Sequence, residues 1–253
     1  MAQNLGKLAR VVDCVCTLRA CSPVTERMNH HAAVCVVLRG AFHTRAREGA
    51  ALATSGTLLL KNAGSQHTYT HFDDGGDHTL TFELEVERPF SHLAIPASSR
   101  TTAAIALAAR ALASGDREAV DDAAHAITAL ALVLDGSRAY DAPRAHVQRV
   151  LRALRYIDAH PSEDCSLATL AHTAGLSPFH FSRIFRALVG QTPRQYVIAA
   201  RLRTAAAALT ATTKPVTEVA LDAGFVDLSN FVTTFRRTFG VSPRRYRGAS
   251  SSR

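Results

Sequence analysis

Ala171-His172-Thr173-Ala174-Gly175-Leu176-Ser177 leads into Phe181-Ser182-Arg183-Ile184-Phe185-Arg186, and both segments return later in the same chain. Phe181, Phe185, Arg186, Gly190, Pro193, Arg194 and Tyr196 recur as Phe231, Phe235, Arg236, Gly240, Pro243, Arg244 and Tyr246 at a spacing of 50. Ala171, Ala174 and Gly175 recur as Ala220, Ala223 and Gly224 at a spacing of 49, so the second copy carries one extra residue in its turn. Agreement this dense marks an internal repeat. Each unit reads as a short helix (167–174; 216–223), a turn with glycine, and a second helix (178–189; 228–239). Glycine suits the left-handed end of the first helix. Pro178 suits the first turn of the second, whose N–H groups have no intrahelical partner. The small Ala171 and Ala220 let the paired helices approach. Helix, tight turn and helix is the pattern that places a recognition helix in a DNA groove.

Between the copies, residues 193–210 read as one helix of about 18 residues, on the order of 27 Å long. A spacer of that length can hold two recognition helices about one DNA turn, or 34 Å, apart. Charge agrees with a polyanionic partner. The chain of 253 residues carries a net charge of +8. Residues 1–142 hold 13 Lys+Arg and 15 Asp+Glu, a balance of −2, whereas residues 143–253 hold 16 and 6, a balance of +10. A basic excess confined to one segment is either a solvated surface or a nucleic-acid footprint.

Working outward, the chain divides into residues 1–100, 101–142 and 143–253. The first part is β-rich, with apolar or β-branched runs at 11–18, 34–39, 57–60 and 79–86. Thr79-Leu80-Thr81-Phe82-Glu83-Leu84-Glu85-Val86-Glu87 alternates polar and apolar, as a strand with one wet face does. Many short strands suggest a barrel or sandwich. Residues 103–113 and 118–134 are rich in Ala and Leu and form a helical pair, with Asp116 capping the second helix. A linker falls at about 135–143, and Val147, Val150, Leu151, Leu154 and Ile157 mark a further amphipathic helix. The predicted fold class is α+β in two domains.

Composition excludes several classes. With 47% hydrophobic and 20% charged residues the chain is not a disordered tail. It lacks an apolar run of the roughly 18 residues needed to cross a bilayer, and its polar start lacks the core of a secretory signal. A soluble, cytoplasmic protein is expected. Five cysteines without an export signal argue against a disulfide framework. No Ser/His/Asp, P-loop or dinucleotide fingerprint is present.

Residues from about 147 to 247 resemble the DNA-binding domain of the AraC/XylS family of bacterial transcription regulators. The most diagnostic stretch is Val219-Ala220-Leu221-Asp222-Ala223-Gly224-Phe225, with Ser229-Asn230-Phe231, Phe235-Arg236-Arg237, Phe239-Gly240 and Ser242-Pro243-Arg244-Arg245-Tyr246-Arg247. The resemblance implies sequence-specific binding to double-stranded promoter DNA, transcription activation, RNA polymerase as a partner, and no enzymatic activity. It places two helix-turn-helix motifs at about 167–189 and 216–239. In the first recognition helix Phe181, Phe185 and Leu188 face inward, leaving Phe179, His180, Ser182 and Arg183 for base edges; Arg183 suits guanine. In the second, Leu228, Ser229, Asn230 and Thr233 take those places, and Asn230 suits adenine. Thr233 stands where relatives often carry arginine, which weakens base reading there. Arg186, Arg236, Arg237, Arg244, Arg245 and Arg247 are expected at phosphates.

The N-terminal part resembles the cupin-like barrel that many family members carry as a sensor. Gly56-Thr57-Leu58-Leu59-Leu60-Lys61-Asn62-Ala63-Gly64-Ser65-Gln66-His67 matches the spacing of the second cupin motif, with Asn62 in place of proline. The first motif is broken: His30 and His31 are adjacent, and Ala33 stands where a metal-binding Glu is expected. That argues against a cupin metalloenzyme carrying an accessory DNA-binding domain. The resemblance implies a small-molecule effector inside the barrel and a homodimer through the 101–142 helices. Cys14, Cys16, Cys21 and Cys35, with His30, His31 and His67, are either core and surface residues or a metal- or redox-responsive cluster.

Overall fold

The computed structural model describes residues 7–17, 25–71, 76–85, 90–135 and 143–251. The N-terminal region holds two sheets. One runs in the order β1 (Lys7–Cys16), β8 (Asp77–Glu85), β3 (Ala32–Arg39), β6 (Leu58–Lys61), β9 (Ala94–Ile95). The other runs β2 (Thr25–Met28), β7 (Gln66–Thr70), β4 (Ala41–Ala46), β5 (Gly49–Thr54). All pairings are antiparallel. The alternating β8 shows why the first sheet has this place. Leu80, Phe82 and Leu84 pack with Ile105, Ala108, Ile127 and Ala131 of the helical pair α1 (Ser99–Ser114) and α2 (Arg117–Leu134). Thr79, Thr81 and Glu83 point the other way, into a cavity. The wet face of β8 is thus turned to the interior of the protein.

The helix α1 starts four residues before the expected 103. Ser98 accepts from the Thr101 N–H at 3.2 Å, and the Thr101 hydroxyl accepts from the Ser98 N–H at 2.7 Å. This reciprocal cap makes the polar Thr101 a first-turn residue. Asp116 caps α2 through the Glu118 N–H at 3.0 Å.

Six helices and a terminal seventh follow: α3 (Arg144–Ala159), α4 (Leu167–Ala174), α5 (Pro178–Val189), α6 (Pro193–Ala211), α7 (Val216–Asp222), α8 (Leu228–Phe239) and α9 (Pro243–Ser251). They build two cores. Phe181, Phe185 and Tyr196 centre the first, with Val150, Leu154 and Ile157 of α3 and Leu52 of the second sheet. Phe231, Phe235 and Tyr246 centre the second, with Leu202, Leu209 and Val219, and Ala106 of α1 against them. The repeat is geometric as well as sequential: Phe181–Phe185 and Phe231–Phe235 ring centroids are both 5.4 Å apart, at 59°.

The helical region rests on the N-terminal region along one seam. Helix α1 contacts α6 and α8, and α5 contacts β5. Arg110 lies over the Tyr246 ring at 5.3 Å. Between α3 and α6, Arg203 approaches Asp158 at 3.7 Å and lies 5.4 Å over the Tyr196 ring. Burial raises the Asp158 pKa, and Arg203 opposes that shift. Among the described residues, no helix is long and apolar enough to cross a membrane.

Candidate nucleic-acid interface and interior cavity

Two short helices lead into two helices whose outer faces are bare. Ser177 caps α5 by accepting from the His180 N–H at 3.4 Å, with Pro178 at the first turn. Asp227 caps α8 through the Ser229 N–H at 2.8 Å. On α5, Phe179 is 80% exposed, although aromatic side chains are normally covered. Arg183 and Arg186 are exposed, and Ser182 is half-buried. His180 is half-buried too, because its ring meets His146 of α3 edge-on at 5.8 Å. On α8, Ser229, Asn230 and Thr233 are exposed, and Leu228 is 40% exposed. The Asn230 side-chain oxygen accepts from Thr234 at 3.2 Å, a bond that does not use its amide donors.

Val226, not singled out from the sequence, is 97% exposed in the turn before α8. A β-branched apolar residue at a turn is the only local sign of it. Both outer faces therefore combine apolar, hydroxyl and charged or amide groups, the set that base edges require.

Two groups of arginines differ in what they meet. Arg149 and Arg152 of α3 donate to the carbonyls of Gly175 and Ala174, closing the open end of α4. Arg201 donates to Pro161 at 2.7 Å and Glu163 at 3.1 Å, fixing the α3–α4 loop to α6. Arg247 donates to Leu209 at 3.3 Å and Lys214 at 2.6 Å, so α9 is tied to the end of α6. These brace the fold through carbonyls far away in sequence. Arg183, Arg186, Arg194, Arg236, Arg237, Arg244 and Arg245 stay exposed.

The N-terminal sheets face each other across a cavity of about 570 Å³. Register explains its lining. Arg10, Glu83, Ala33 and Lys61 form one row across the first sheet; Val12, Thr81, Cys35 and Leu59 form the next; Cys14 with Thr79 and Cys16 with Asp77 follow. Cys14, Cys16 and Cys35 thus share the inner face, and the exposed His30 and His31 also line the space. Cys21 lies outside the described residues, and no disulfide joins the described cysteines. His67 is buried against Tyr69, with Ser65 Oγ 3.0 Å from its Nε2. Burial, helped by the Lys61 ammonium, pushes its pKa down to about 4. His67 is therefore a neutral imidazole near pH 7.

His67 gives the N-terminal region a pH dependence. Below about pH 6.5 the unfolded chain takes up a proton that folded His67 refuses until about pH 4. Stability therefore falls across that window, by up to about 3 kcal/mol. Urea unfolding at pH 7 and 4.5 is expected to show this loss in the wild type and a smaller one in His67→Gln. Equal losses would remove His67 from the account.

Two helix pairs of one pattern, each with a bare capped helix on a basic domain, define a DNA-binding regulator. Comparison with known proteins supports this class. A family model described as a helix-turn-helix domain matches residues 170–249. The regulatory protein SoxS of Salmonella typhimurium is 32% identical over 103 residues, covering 41% of this chain and 96% of SoxS. The regulatory protein PocR of the same organism is 35% identical over 105 residues, covering 42% of this chain but only 35% of PocR. A solved transcriptional regulator of the AraC type from Chromobacterium violaceum is 25% identical, covering 44% of this chain and 98% of that one, with a TM-score of 0.41. The chain belongs to the AraC/XylS family of DNA-binding transcription regulators. The relatives are regulators, not enzymes.

Proposed function

We propose that this protein binds promoter DNA sequence-specifically through α5 and α8, placed in successive major grooves by α6, and that it activates transcription with RNA polymerase. The supporting observation is the pair of bare, capped helix faces on a domain holding, outside α3, seven exposed arginines among the described residues. Phe179, His180, Ser182 and Arg183 read one half-site, and Leu228, Ser229, Asn230 and Thr233 the other. Arg186, Arg236, Arg237, Arg244 and Arg245 clamp phosphates, with salt-dependent affinity. Arg247, engaged with carbonyls, helps by holding α9 in place. The α6 helix has 19 residues, about 28 Å of rise, which suits this spacing.

The N-terminal region acts as a cupin-like sensor. Its cavity of about 570 Å³ is large enough for a small organic effector. Occupancy is transmitted through the α1 seam to α6 and α8, shifting how the two recognition helices sit. The protein works in the cytoplasm as a homodimer through the 101–142 segment, whose helix α2 leaves Ala126 and Val133 exposed. Metal or thiol chemistry among the inner-face cysteines is a second input.

Arg183→Ala is expected to weaken binding by about 1–3 kcal/mol and relax preference at one base pair. Footprinting defines the site, and a gel-shift series over single-base variants reads the change. Unchanged affinity and preference would take Arg183 out of the reading set.

A further inference from the structure

We propose that Cys16, His71 and Asp77 form a binding site for one divalent transition-metal ion, with zinc the best match. Cys16 ends β1 and pairs in register with Asp77, which begins β8, so a thiol and a carboxylate stand side by side on the inner face of the first sheet. His71 follows β7 of the opposite sheet and reaches across to both. Its Nε2 lies 3.7 Å from Cys16 Sγ and 2.8 Å from Asp77 Oδ2. All three candidate ligand atoms fall within 4.8 Å of one another, the only such His/Cys/Asp/Glu group among the described residues. His71 and Asp77 are buried, at 8% and 5% exposure.

Tetrahedral zinc with bonds of about 2.0–2.3 Å sets neighbouring ligand atoms roughly 3.2–3.7 Å apart. The Cys–His separation already matches, and the His–Asp pair needs to open by about half an ångström. A buried His–Asp hydrogen bond explains two of the residues without a metal; the thiol aimed at the same nitrogen is what it leaves unexplained. One thiolate, one imidazole and one carboxylate suit zinc better than calcium or magnesium, which take oxygen. Binding releases the Cys16 thiol proton to solvent. All three residues line the cavity, so a fourth coordination position opens into it. A metal here ties the two sheets together beside the β7–β8 connection. The local backbone is already close: a Cβ on Gly76 would strike the Cys16 carbonyl. The site differs from the His67 position of the second cupin motif, and it uses none of Cys14, Cys35, His30 or His31.

The test uses the full, reduced, chelator-treated chain without DNA, so its result is independent of the DNA reading. Titration with Co²⁺ is expected to give a thiolate-to-cobalt band and four-coordinate visible bands, saturating at one equivalent and displaced by Zn²⁺. Cys16→Ser should abolish the thiolate band and weaken Zn²⁺ binding roughly 100-fold or more, and Asp77→Asn should weaken it; Cys14→Ser should change neither. In the wild type, Zn²⁺ should protect Cys16 above the other thiols from iodoacetamide, read by peptide mass spectrometry, which needs no variant to fold. Absence of the thiolate band, its survival in Cys16→Ser, or unprotected Cys16 would each overturn the site.

Discussion

Phe235→Ala is expected to cost about 3–5 kcal/mol and to abolish binding at the second half-site. Phe235 is fully buried, with ring centroids 5.4 Å from Phe231, 4.3 Å from Phe239 and 5.3 Å from Tyr246, the last edge-on at 84°. Truncation leaves a void between α8 and α9 that neither helix can readily fill, because Arg247, next to Tyr246, ties α9 to Leu209 of α6 and to Lys214. A domain stable by about 5–15 kcal/mol loses a large share of its margin in that one change. Phe185→Ala should do the same to the first unit, since Phe185 meets Tyr196 edge-on at 78° and 5.8 Å. Phe179→Ala supplies the contrast. At 80% exposure it should alter stability by no more than about 0.5 kcal/mol while weakening DNA binding. Urea unfolding and gel shifts on the three variants separate core from interface. A loss under about 1 kcal/mol for Phe235→Ala would mean the second core is not packed as described.

The same aromatic residues explain what the sequence made legible. Both units keep their largest inward side chains, so the repeat, its helices and their buried faces could be read from residue type and spacing. Arginine roles could not. Arg149, Arg201 and Arg247 look like the DNA-facing arginines in sequence, and only the carbonyls they meet, 26 to 40 residues away, set them apart. Helix α9 leaves no periodic signal in the sequence, because Tyr246 is its one large buried side chain. In the N-terminal region, β8 announced a polar face, but alternation reports polarity and not which side holds the cavity. The strands β2, β4, β5 and β7 mix Thr, His, Arg and Ala, and they lack the apolar signal that marked β3. His71 and Asp77 carry no sequence signal for a related reason: their meeting with Cys16 depends on strand register and the apposition of two sheets.

The repeat also supplies an internal control for the seam between sensor and DNA-binding regions. Gly190 and Gly240 end α5 and α8 in the same left-handed conformation, with φ of +81° and +76°. A Cβ at Gly240 meets nothing within 4 Å, whereas one at Gly190 runs into Pro96 Cβ, with Cγ at 2.8 Å. Gly240→Ala should therefore cost only left-handed strain, about 1 kcal/mol. Gly190→Ala carries that strain plus overpacking against the segment before α1, for a loss of about 2–4 kcal/mol. The excess should show as faster amide exchange along α1 and the end of α5. It should shrink when Pro96→Gly is added, giving a favourable coupling in the double-mutant cycle. Gly190→Ala should also blunt any effector response while leaving α5 able to bind DNA, because α1 against α6 and α8, and β5 against α5, join the cavity-bearing region to the recognition helices. Equal losses for the two glycines, with no rescue by Pro96→Gly, would show that the first unit does not lean on the N-terminal region, and the coupling would then need another path.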